Sequence, residues 1–240
     1  MQTATVALAL EDFVPVILSS IGFLLLGRML HDVDHRLGRM ALFGWALLTL
    51  GGLLKAVEKL IHALMGKQES LIWLDKGLFI WLAAGFVLVA TALYFAKRDY
   101  FLHKPQSWAW LWPVVILGAS VFAMLQTGFP DPNVNTWRFV LLGVMTVANI
   151  ALIVWLVQWA RAYSLNSTGW LFIITIVAVF LLSGLARIPN PSVAVQWIDQ
   201  LTNTAGQAAF LVASIQLGRA YYTAEAPGLN VSSTKRQLTN

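Results

Sequence analysis

A chain of 240 residues that is 58% hydrophobic and only 11% charged, with a mean hydropathy of +0.71, is not composed like a water-soluble domain, which carries about 25% charged residues. Its net charge of +5 and pI near 9.7 come from basic residues spread between apolar runs, a pattern that fits membrane flanks and excludes a nucleic-acid surface. The lack of cysteine excludes disulfides, thiolate catalysis and cysteine-ligated zinc or iron–sulfur centres.

Apolar runs of about 20 residues, the length that crosses a bilayer, recur along the chain. They predict an all-α, polytopic membrane protein with seven transmembrane helices, over 12–30, 40–65, 73–97, 108–127, 136–162, 169–187 and 195–222. Residues 1–222 form one domain on this reading, and the polar tail 223–240, with its Pro and Gly, is expected to be disordered and cytoplasmic. The opening MQTATVALALEDF has no basic segment and is not read as a cleaved signal peptide; Glu11 and Asp12 stand just before the first span.

After the first span comes HDVDHRLGR, where His31 and His35 have the spacing of two helical metal ligands. A solvated turn explains them more simply, and no metal site is assigned. The second span ends in KAVEKLIH. Helical spacing stacks Lys55 with Lys59 and Glu58 with His62, making a broad polar face. Two accounts are open: a helix end snorkelling into headgroups, or a polar cavity. Asp75 and Lys76 open the third span and Arg187 closes the sixth. In the last span, Asp199, Asn203 and Gln207 recur every four residues, flanked by Gln200 and Thr204. Such a stripe faces protein or water rather than lipid. Interhelical hydrogen bonding accounts for it without a ligand.

Cations flanking spans are retained on the cytoplasmic side, so their distribution sets the orientation. With the N-terminus outside, Arg28, Arg36, Arg39, Lys97, Arg98, Lys104, Arg161, Arg219, Lys235 and Arg236 lie inside, and a smaller set lies outside. The expected location is a bacterial cytoplasmic membrane, N-terminus out and C-terminus in. A shift of 124 residues aligns IWLDK at 72–76 with QWIDQ at 196–200, and a shift of 125 aligns Gly44-Trp45 with Gly169-Trp170. This suggests a parallel repeat of three helices, a linker helix and three helices.

In this orientation the polar runs of the second and last spans share the outer half of the bundle. The expected site is an outer polar pocket of Lys55, Glu58, Lys59, His62, Asp75, Lys76, Arg187, Asp199, Asn203 and Gln207 over an apolar base. There the chain would bind or transport a small molecule, the lysines and Arg187 attracting an anionic group. The competing readings are an accessory subunit of a larger membrane complex, or a sensor acting through a separate partner. Beyond the lipid bilayer, a small-molecule ligand, other membrane subunits or a second copy are the candidate partners. No nucleophile elbow, phosphate-binding glycine loop or zinc-protease histidine pair is present, so no reaction is assigned. A haem, pigment or lipid cofactor is left unknown.

Overall fold

The computed structural model describes residues 6–66, 72–102, 107–131, 134, 136–186, 188–189 and 191–225, without the side chains of residues 72, 73, 75, 76 and 225. The described chain is all-α: α1 (Val6–Glu11), α2 (Phe13–Val33), α3 (His35–Met65), α4 (Ile72–Leu102), α5 (Leu111–Gln126), α6 (Thr136–Ala162), α7 (Asn166–Leu185) and α8 (Val193–Glu225). Five stretches are long and apolar enough to cross a bilayer: Val6–Val33, His35–Met65, Gly77–Leu102, Thr136–Ala162 and Asn166–Leu185. The protein is therefore a multi-pass membrane protein. The two remaining helices fall short of that test for opposite reasons. α5 is apolar but has 16 residues, about 24 Å of helix, whereas α8 has 33 residues and carries the polar stripe.

Several helices run past the apolar stretches that mark them, because a backbone ladder continues into the headgroup region where hydropathy has already fallen. The turn expected over 31–39 shrinks to one non-helical residue, Asp34. Its extended backbone stops α2, and its carboxylate caps α3 by accepting from the Arg36 and Leu37 amides at 2.6 and 3.3 Å. Gly66 ends α3 with a φ of 78°, a conformation glycine takes without steric cost. At the amino terminus, Pro15 has no amide hydrogen to give the Glu11 carbonyl, and the ladder breaks at Asp12 between α1 and α2.

Neighbouring helices form a closed ring in the order α2, α3, α4, α6, α7, α8 and back to α2, with α5 outside against α4 and α6. That order is unchanged by pairing α2 with α6, α3 with α7 and α4 with α8, but it does not establish a repeat. Trp45 donates to Ser20 within the bundle, whereas its counterpart Trp170 is 64% exposed.

The main core is concentrated in one half. Leu26, Met29, Leu30, Met40, Leu93, Leu152, Leu156, Trp159, Phe172, Phe210 and Leu217 pack together toward the end where α2 finishes and α3 begins. Close backbone contact holds α3 to α4: a Cβ on Gly44 would lie 2.9 Å from the Gly85 carbonyl oxygen, and one on Gly85 would lie 2.6 Å from Leu48. Small residues supply this approach because lipid gives helices no hydrophobic reason to associate. Gly44→Val should therefore destabilise the fold by about 1–3 kcal/mol through overpacking. Gly118→Ala on α5, where a Cβ meets nothing within 4 Å, should be neutral or stabilising by up to about 1 kcal/mol. Unfolding titrations in mixed micelles compare the two.

Candidate functional site

At the opposite end of the bundle, where the chain enters α2, charged side chains from α1, the α1–α2 break, α3 and α8 converge. The α1–α2 break places Glu11 and Asp12 inside the Val6–Val33 stretch rather than before it. At helical rise the 28 residues of the Val6–Val33 stretch span about 42 Å, against about 30 Å of hydrocarbon, so residues five or six from its start lie near or just within the hydrocarbon boundary. Carboxylates at that depth require partners.

Asp12 meets two of them. Lys59 Nζ from α3 sits astride its carboxylate, 2.9 Å from Oδ1 and 2.8 Å from Oδ2, and Gln200 Nε2 from α8 donates to Oδ1 at 2.6 Å. Gln200 is buried, so this bond ties α8 to the amino-terminal break without access to competing water. Glu11 Oε1 accepts from the Thr204 hydroxyl one turn farther along α8. Asp199, preceding Gln200, lies within electrostatic range of Lys59 and Asp12.

Glu58, 5% exposed, is the most buried acid of the group. Its Oε2 accepts from Lys55 Nζ at 2.8 Å, and its Oε1 lies 3.4 Å from His62 Nδ1. Four-residue helical spacing brings the histidine over the acid, as expected from KAVEKLIH. Both oxygens of Glu58 are thereby engaged. Glu11 Oε2 and His62 Nε2, in contrast, are buried and have no hydrogen-bond partner among the described residues. Whichever protonation state His62 takes, Nε2 is left either as a donor without an acceptor or as an acceptor without a donor.

The structure thus gathers Lys55, Glu58, Lys59, His62 and Asp199 into one layer. Asn203 and Gln207 are half-buried on α8 and make no hydrogen bond among the described residues; Gln200 and Thr204 turn toward α1 and α2 instead. Neighbouring positions on a helix differ by about 100° in direction, and the four-residue stripe did not specify which face meets the bundle. The side chains of Asp75 and Lys76, and the whole of Arg187, lie outside the described residues. Sequence reasoning did not assign Glu11, Asp12, Gln200 or Thr204 to the site. The available signal was an acidic pair with apolar VALAL before it and a proline soon after.

At the other end, His31 and His35 bring their Nδ1 atoms to 3.3 Å across the α2–α3 corner, and Tyr222 donates to Asp32 at 2.8 Å. Among the described residues, no group of three or more His, Asp or Glu is arranged to hold a metal ion.

Comparison of the chain with protein-family models, with curated proteins and with solved structures finds no match. The Lys59–Asp12 contact should be energetically coupled. A double-mutant cycle with Asp12→Asn and Lys59→Gln, read by micellar unfolding, should give an interaction energy of about 1–3 kcal/mol; additivity would mean that the pair does not tie α2 to α3.

Proposed function

We propose that this multi-pass membrane protein binds, and carries across the membrane, a small molecule bearing a protonated amine, through the polar layer formed by Glu11, Asp12, Lys55, Glu58, Lys59, His62, Asp199 and Gln200. The observation that carries the reading is charge imbalance around buried unpartnered atoms. The described residues of the layer include two lysines and four acids, with Lys55 against Glu58 and Lys59 against Asp12. Each lysine already contacts an acid of this chain, which argues against the anionic ligand expected from the lysines alone. Glu11 Oε2 retains a buried lone-pair site with no donor among the described residues. An ammonium group supplies both the missing charge and the missing donors.

An organic cation suits the geometry better than a bare metal ion, since it needs convergent acceptors rather than a complete coordination shell. Asn203 and Gln207 lie deeper along α8, where they would orient the rest of the ligand. Asp75 and Lys76, near the start of α4, and Arg187, which follows α7 in the sequence, enter the proposal from the sequence alone. The orientation with the N-terminus outside, supported by the cation distribution, would open this layer to the exterior.

The test is a thermal-shift panel on the detergent-purified chain, using primary amines and carboxylates of matched size. At least one amine should stabilise the protein, and Glu11→Gln and Asp199→Asn should each weaken its binding about tenfold or more. Stabilisation by carboxylates alone would sink the amine reading. Co-purification with a stoichiometric membrane partner, with no amine effect, would favour the accessory-subunit reading.

A further inference from the structure

Away from the polar layer, an apolar cleft of about 480 Å³ opens between α4, α5 and α6. Its walls are Val87, Ala90 and Thr91 on α4, Ile116 on α5 and one face of α6 from Gly143 to Trp155. The Thr91 hydroxyl donates to the Val87 carbonyl at 2.7 Å, so its hydrogen is already used. A Cβ on Gly143 would meet nothing within 4 Å, which leaves open space beside the α6 backbone. From Gly143 to Trp155 the face runs about 18 Å at helical rise, close to the about 15 Å of hydrocarbon in one leaflet.

The α4 wall continues into positive charge, and the α6 wall into a neutral glutamine. On α4, Val87, Thr91, Tyr94 and Arg98 follow one another at three- or four-residue steps; on α6, Ala148, Ala151, Trp155 and Gln158 do the same. Tyr94 and Trp155 close this end of the cleft with ring centroids 5.1 Å apart, and Arg98 lies over the Tyr94 ring at 5.7 Å. Beside them, Lys97 Nζ donates to Gln158 Oε1. Gln158 is neutral, so that bond does not cancel the lysine's charge.

We propose that this cleft is a binding site for an anionic membrane phospholipid, with the phosphate at Lys97 and Arg98 and one acyl chain lying along α6 toward Gly143. Charge complementarity selects this occupant. An apolar trough of leaflet depth that ends on adjacent cations matches an amphiphile with a negative head, and the aromatic pair marks the level where tail gives way to headgroup. An apolar helix from another protein would fill the trough but bring nothing to the charge on Lys97, whose bond is to a neutral glutamine.

The test uses the full chain in mild detergent with equimolar phosphatidylglycerol and phosphatidylcholine of identical acyl chains, and native mass spectrometry to count retained lipid. Phosphatidylglycerol should be retained in preference, and Lys97→Gln and Arg98→Gln should each reduce that preference about fivefold, while Lys97→Arg keeps it. Gly143→Leu and Ala151→Leu, which fill the cleft from two points, should lower retention of both lipids. Using two such variants keeps the test decisive if one misfolds. Equal retention of the two lipids by the parent chain overturns the proposal, as does a preference that survives both charge removals or retention undiminished by filling the cleft.

Discussion

A polar group inside hydrocarbon has no water to fall back on, and it must find its partner within the protein. That constraint governs this chain from backbone to site. It makes every described regular element a helix, and it turns an acidic pair five or six residues into a membrane-crossing stretch into an organising centre. Asp12 draws Lys59 from α3 and Gln200 from α8 to one carboxylate, and Glu11 adds Thr204. Helices far apart in sequence are brought to the same end of the bundle by the need to satisfy two neighbouring side chains.

The two halves of the bundle solve the problem differently. Toward the α2–α3 corner, packing is dry and tight, with Met29, Leu30, Trp159 and Leu217 almost wholly buried and α3 and α4 in backbone contact at Gly44 and Gly85. Toward the amino-terminal entry, the main core gives way to ion pairs and hydrogen bonds. Dry packing suits a rigid base, because close-packed side chains have few alternative arrangements. A polar layer suits exchange, because the bonds of a partly exposed side chain such as Lys59 have a competitor in water or in a ligand.

Electrostatic balance is the strongest argument about chemistry. The lysines of KAVEKLIH look like anion attractors until Asp12 and Glu58 occupy them. In the proposed reading, Glu11 Oε2, which has no donor among the described residues, is where a cationic group would bind. The cleft between α4, α5 and α6 presents the opposite arrangement: almost wholly apolar walls that end on Lys97 and Arg98. One chain thus offers an acidic layer at one end and a basic-ended apolar trough on its flank.

The amino-acid sequence by itself determined the membrane class, the approximate helix positions and the local pairings within α3. These depend on apolar run length and on helical periodicity, which act between residues close in the chain. Glu58 with Lys55 and His62 is such a case, since three- and four-residue spacings bring those side chains together in any α-helix. Only the tertiary structure decided which face of α8 turns inward, so that Gln200 and Thr204 rather than Asn203 and Gln207 meet the acids. It also placed Glu11 and Asp12 inside the bundle, and it set α5 outside the ring where the cleft forms. Helix rotation and neighbour order arise from packing between distant segments, and spacing along one helix carries no record of them.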